Sequence, residues 1–223
     1  MNNKTVLRII SLICAVGGFL ILGFVLFPLI SYELTSPRYA SYLSPVPEEL
    51  LATEAVDYTK ASNWFVNNGT AFDNKSVLFY TITVPKLGIK NAAVSIGGED
   101  LSDSLIQYPG TAVPGKPGNA VIFGHSILPQ FFNPKDYLSI FSTLPSLKRG
   151  DSILIEYDGI SYQYRVEDTF EVKPTDIQIL QQNPSDSFLT LVTCTPPGHP
   201  LRPRRLIVRA RVVPLGEREF KNI

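Results

Sequence analysis

The sequence predicts a mainly β protein, a closed or nearly closed barrel of about eight strands with short helices, preceded by one transmembrane helix. Three observations carry that expectation. From Val77 onward, short runs rich in Val, Ile, Thr, Tyr and Phe alternate with Gly- and Pro-bearing turns, the rhythm of short strands rather than of βαβ units. Asp158-Gly159 sits between two such runs and is the residue pair expected of a tight hairpin turn. Near the N-terminus, residues 9–30 carry no charged side chain and are numerous enough to cross a bilayer as a helix.

The N-terminal segment sets the compartment. Lys4 and Arg8 precede the apolar run, whereas Glu33, Glu48, Glu49, Glu54 and Asp57 follow it with only Arg38 and Lys60 in balance. Positive charge is retained on the cytoplasmic side, so residues 1–8 are expected inside and the remainder of the chain outside. A cleaved signal peptide would need a small-x-small site after a shorter apolar run, and Phe27-Pro28-Leu29-Ile30-Ser31-Tyr32 has none. Residues 9–30 therefore read as an uncleaved anchor. Residues 31–75 read as an extracytoplasmic stalk, punctuated by Pro37, Pro45 and Pro47 and helical over residues 47–65, where Pro47-Glu48-Glu49 suits a helix start. Trp64-Phe65 in that stalk are expected to make ordinary packing contacts on the domain rather than cover a site.

Residues 76–215 hold the barrel. Residues 77–84 alternate and stop at Pro85; residues 86–89 and 92–96 continue the pattern to Gly97-Gly98. Residues 100–106 read as one or two helical turns, and residues 108–119 as a loop carrying Pro109-Gly110, Pro114-Gly115 and Pro117-Gly118. Residues 120–123 are a buried-strand run ending at Gly124-His125-Ser126. A short helix is expected within 138–147, a hairpin over 152–157 and 160–166, and a separate strand at 169–172. Residues 174–182 form a loop or short helix, and the last two strands cover 188–194 and 205–213. Residues 216–223 are a polar tail.

Chemistry concentrates at few positions. The chain has two cysteines, and Cys14 falls in the apolar helix, which leaves Cys194 as the lone thiol of the exported part. It sits where a strand meets a Pro-Pro-Gly turn. A cysteine nucleophile needs a base or a cation close in space, and the sequence offers two histidines, His125 just past a buried strand and His199 in the loop after Cys194. Arginines cluster beyond that loop at Arg202, Arg204 and Arg205; alternation along a strand lets only one of Arg204 and Arg205 face the thiol. A metal held by Cys194, His125 and His199 is not expected without further Cys or His pairs. Lys and Arg balance Asp and Glu at 20 each, so charge gives no support to a nucleic-acid partner.

Leu191-Val192-Thr193-Cys194, the upstream Gly124-His125 and Arg205-Leu206-Ile207-Val208-Arg209 together resemble the signature of the sortases, the extracytoplasmic cysteine transpeptidases. Thr83-Val84-Pro85-Lys86-Leu87-Gly88-Ile89 is similar to the family's opening strand and residues 141–151 to the stretch leading to its mid-barrel hairpin, and Val172-Lys173-Pro174-Thr175-Asp176 also follows the family pattern. The likeness runs over residues 77–213. It implies Cys194 as nucleophile, His125 as general acid/base and Arg205 as oxyanion or substrate clamp, with Thr193 supporting the site and Arg204 the nearest rival to Arg205. Arg209 and Arg211 share the face of Arg205 and read as barrel-surface charges.

The resemblance further implies a membrane-anchored enzyme that cleaves a C-terminal sorting signal resembling Leu-Pro-x-Thr-Gly and passes the acyl group to an amine of the cell envelope, without a cofactor. Residues 172–182 would wall the peptide groove. Pilus-assembling members carry a second membrane helix and an Asp-Pro-aromatic lid. Asn63-Trp64-Phe65 lacks that pattern, which favours a general anchoring role. The rival readings are an extracytoplasmic cysteine hydrolase, sending the same thioester to water, and a peptide-binding β domain without catalysis.

Overall fold

The computed structural model describes residues 3–35, 59, 60, 64 and 78–214. The expected stalk helix over 47–65 and the polar tail lie outside the described residues, Thr59, Lys60 and Trp64 excepted. The chain divides into two units, Met1–Ser36 and Pro37–Ile223. The first is a single helix, α1 (Asn3–Thr35). Its segment Leu7–Tyr32 is long and apolar enough to cross a membrane, and Phe19, Leu20, Ile21 and Phe27 project from it without protein cover. Such a surface costs free energy in water and none in a lipid interior.

The second unit contains a closed barrel. Its strands are β1 (Leu78–Val84), β2 (Ile89–Ile96), β3 (Leu105–Gln107), β4 (Gly118–Phe123), β5 (Ser152–Tyr157), β6 (Ile160–Val172), β7 (Ser187–Thr195) and β8 (Arg204–Val212). Around the barrel they follow the order β1-β2-β3-β4-β7-β8-β6-β5, with β5 closing back on β1. Closure removes exposed strand edges. Two pairings are parallel, β2 with β3 and β4 with β7; the remainder are antiparallel.

Four elements differ from the sequence expectation. Residues 86–89 do not continue as a strand: Pro85–Leu87 form a 3-10 turn and β2 begins at Ile89. Residues 100–106 do not form a helix: turns lead into the short strand β3, whose three residues are all buried and therefore show no alternation to read. Residues 160–166 and 169–172 are one strand, β6, carrying an irregularity between Val166 and Asp168 that shifts the alternation by one. Within 138–147 the helix shrinks to one 3-10 turn, Leu144–Ser146.

Alternation along each strand sorts apolar side chains into two sets. Ala120, Ile122, Leu189, Leu191, Leu206, Val208 and Ala210 point into the barrel, where they meet Ile82, Val94, Ile155 and Tyr164 from the other strands. The intervening residues Val121, Phe123, Val192, Cys194, Ile207 and Val172 face outward, yet are buried beneath a second cluster that includes Trp64, Leu101, Tyr108 and Ile179. The barrel wall formed by β4, β7, β8 and β6 is therefore buried on both faces around the β4–β7 pair, which explains why residues 120–123 and 188–194 read as near-continuous hydrophobic runs.

Candidate active site

Cys194 lies at the end of β7 on the outer face of that wall, 2% exposed. Two neighbouring strands bring the other expected groups to it. Antiparallel pairing of β7 with β8 sets Cys194 directly opposite Arg205 and Thr195 opposite Arg204. Opposed residues share a face, so Arg205 stands on the thiol's side of the sheet and Arg204 on the barrel-interior side. Parallel pairing of β4 with β7 sets Phe123 beside Val192. The same offset of 69 residues joins Gly124 to Thr193, and it also separates His125 from Cys194.

Short hydrogen bonds lock this junction. The Gly124 amide donates to the Val192 carbonyl at 3.1 Å, and the Thr193 hydroxyl donates back to the Gly124 carbonyl at 2.7 Å. The Ser126 hydroxyl donates to the Cys194 carbonyl at 2.8 Å. The residues before and after His125 are thus tied to those before and at Cys194. Phe141 adds a third support, its amide donating to the His125 carbonyl at 2.9 Å. Gly124 is required by close approach: a Cβ there would lie 2.5 Å from Leu105 and from Phe141. Ser126 had no signal in the sequence, because nothing marks which of many serines ends beside the thiol.

Arg205 is fully buried. Its Nη1 donates to the carbonyls of Arg202 at 3.0 Å and Arg204 at 3.2 Å, and its Nη2 donates to the Trp64 carbonyl at 3.3 Å. Arg204 points elsewhere: its Nη1 meets Glu171 Oε2 at 2.8 Å. His199 belongs to the loop after β7, its Nδ1 accepting the Leu201 amide at 3.2 Å. Arg211, at the far end of β8, pairs with Glu167 and Asp186 and lies over Phe188. Among the described residues no group of three His, Cys, Asp or Glu side chains is placed to hold a metal ion.

Trp64 departs from expectation. Instead of ordinary packing on the domain, its fully buried ring sits against the site itself. It stacks on Phe123 with centroids 5.4 Å apart, lies tilted against the His125 ring at 5.8 Å, and has the Arg205 guanidinium 5.5 Å from its centroid. Ring-to-guanidinium contact of this kind is attractive. Asn63 and Phe65 lie outside the described residues. On the other flank, a loop after β6 leads into the 3-10 turn Ile177–Leu180. Asp176 within it is buried, and desolvation raises its carboxyl above the usual range against the lowering pull of the Lys173 amide and ammonium.

A closed eight-stranded barrel bearing a cysteine, a histidine and an arginine at the ends of three adjacent strands defines a class of barrel proteins with a thiol-centred site. The Sortase domain model matches residues 82–213, and the chain belongs to the sortase family, a family of cysteine transpeptidases. Sortase A of Streptococcus agalactiae serotype III (strain NEM316) is 26% identical over 183 residues, covering 82% of this chain and 66% of that protein. The chain thus spans just under two thirds of that relative's length. Sortase A of Bacillus anthracis is 24% identical over 209 residues, covering 87% of this chain and 89% of that one. Among solved structures, Sortase A from Corynebacterium diphtheriae superposes with a TM-score of 0.54 at 29% identity, covering 64% of this chain and 63% of that one.

Proposed function

We propose that this protein is a membrane-anchored cysteine transpeptidase that joins secreted proteins bearing a C-terminal sorting signal to an amine of the cell envelope. The observation that carries the reading is the shared register: β4 and β8 flank β7, so that His125 and Arg205 lie on either side of Cys194 on one face of the wall. In this reading α1 spans the membrane with its basic end in the cytoplasm and the barrel outside.

The Cys194 sulfur attacks the backbone carbonyl carbon of an extended peptide resembling Leu-Pro-x-Thr-Gly. The C=O electron pair moves to oxygen, and the guanidinium of Arg205 stabilises that oxyanion. As the tetrahedral species collapses, the C–N bond breaks and imidazolium His125 gives its proton to the departing amine. A thioester on Cys194 remains. An acceptor amine then attacks the thioester carbon, its proton passes to neutral His125, and the thiolate leaves as a new amide forms. Thr193 and Ser126 act by holding the backbones of the two strand ends together. Arg204 is turned to the other face of the sheet and takes no part in the oxyanion contact.

The test uses the full chain in detergent with a panel of Leu-Pro-x-Thr-Gly-like peptides and several amines, read by mass spectrometry. A thioester on Cys194 that resolves to an amide product, absent from Cys194→Ala, is the expected result. A thioester that resolves only to acid makes the protein a hydrolase. Peptide binding without any adduct, across the panel, makes it a non-catalytic binding domain and sinks the proposal.

A further inference from the structure

We infer that Glu171, on the barrel-interior side of the wall, is a positioning residue that holds Arg205 at Cys194. The inference rests on the reading of Cys194 and Arg205 given above. Glu171 is completely buried near the end of β6, opposite Leu206 in the register that also sets Val172 opposite Arg205. A buried carboxylate is costly unless both oxygens are satisfied, and here each has a partner of consequence. Oε1 accepts the hydroxyl of Thr195 at 2.9 Å, and Oε2 accepts Nη1 of Arg204 at 2.8 Å.

Those partners are the residue after the nucleophile and the residue before the clamp. Thr195 and Arg204 also oppose each other where β7 and β8 meet their connecting loop. One carboxylate therefore grips both strand ends from behind. The grip reaches Arg205 through the backbone, because the Arg204 carbonyl is one of the acceptors that hold the Arg205 guanidinium. Release of Arg204 frees that carbonyl and the start of β8 to move, and Arg205 with them. The carboxylate itself lies across the sheet from the outward-facing thiol and touches no reacting atom.

Charge alone and positioning make opposite predictions for Glu171. Among the described residues, the ionisable groups at the strand ends around Cys194 are His125 and Arg205 on its own face and Glu171 and Arg204 behind. If Glu171 acted only through its negative charge, Glu171→Gln would favour the thiolate and Arg204→Met would disfavour it. If the pair acts by holding Arg205, both substitutions loosen the same cation, and both move the thiol in the direction that Arg205→Ala moves it.

The experiment follows the pH midpoint of Cys194 alkylation by iodoacetamide in the full-length protein, mapped by mass spectrometry so that Cys14 does not contribute. The midpoint is read because any opening step common to all pH values scales the rate and leaves the midpoint in place. Glu171→Gln, Arg204→Met and Arg205→Ala are each expected to raise it by roughly one unit, and Glu171→Gln with Arg205→Ala to give no more than Arg205→Ala alone. Opposite shifts for Glu171→Gln and Arg204→Met, no shift, or additive shifts in the double variant would overturn the inference. Should Glu171→Gln fail to fold, Arg204→Met combined with Arg205→Ala still reads the coupling, with no greater shift than Arg205→Ala alone expected and an additive shift overturning the inference. Absence of a thioester in the wild-type peptide assay would sink the transpeptidase reading without altering this profile, so the two failures are distinguishable.

Discussion

Trp64 is the only tryptophan in the chain, and its ring contacts the imidazole and the guanidinium assigned to the chemistry. The ring lies against both groups, so displacement of Trp64 is expected to precede acylation. Truncating the ring tests this. A buried tryptophan covers about 150–250 Å², which at about 25 cal/mol per Å² is a gross contact worth about 4–6 kcal/mol. Holding Trp64 in place costs conformational entropy of about 1–2 kcal/mol per residue fixed, so net docking of the ring is smaller than the gross figure. Trp64→Ala removes about 3–5 kcal/mol of contact and uncovers Phe123, His125 and Arg205. Since about 1.4 kcal/mol corresponds to a factor of ten, a net docking energy of that size already predicts about a tenfold rise in the alkylation rate of Cys194. The assay is iodoacetamide labelling at fixed pH, with the melting temperature of the barrel followed in parallel. In the wild type, Trp64 emission is expected to shift to the red when a sorting-signal peptide binds. An unchanged labelling rate together with a lowered melting temperature would refute the reasoning, because Trp64 would then belong to the cooperative core of the barrel rather than to a cover over the thiol.

Two further outcomes are expected from the described packing. Gly124→Ala places a Cβ 2.5 Å from Leu105 and Phe141, neither of which can swing away within the core; overpacking of this kind costs about 1–3 kcal/mol, and displacement of the adjoining His125 should lower acyl transfer beyond what the fall in melting temperature explains. Alkaline stability should fall through the tyrosines: burial raises the hydroxyls of Tyr80 and Tyr164 above their ordinary value, so the unfolded chain loses these protons first and stability present below about pH 10 is lost as pH rises through the folded values. Tyr80→Phe is expected to flatten that decline in pH-dependent denaturant melts, and an unaltered slope would show that Tyr80 does not contribute to it.

The barrel was legible where the physics is local. Alternating or fully apolar runs bounded by Pro and Gly located β1, β4, β5, β7 and β8, and Asp158-Gly159 located the β5–β6 turn. Recognition failed where tertiary context overrides the local pattern. In β3, Leu105, Ile106 and Gln107 are all buried, so polarity alternation is absent, and only pairing with β2 and β4 makes the segment a strand. In β6 the irregularity at Val166–Asp168 broke the alternation that would have joined its halves. The count of about eight strands survived because one division and one omission offset each other.

The site divides along the same line. Cys194, His125 and the arginine pair stood out because thiol, imidazole and guanidinium are scarce or clustered in this sequence, and alternation alone reduced two arginines to one per face. Choosing between them needed register: Cys194 opposes Arg205, while Arg204 opposes Thr195 and turns to Glu171. Glu171 itself carries no sequence signal, because its partners stand 24 and 33 positions away and a Glu within a strand pattern reads as a solvated edge. The same limit hid Trp64, which lies 141 positions before the arginine it touches. Groups proposed for the chemistry are readable from rarity and strand-end position. Groups that hold them in place are ordinary residues made consequential by burial, and a fully buried Glu beside a buried Thr and a half-shielded Arg is visible only once the sheet has closed.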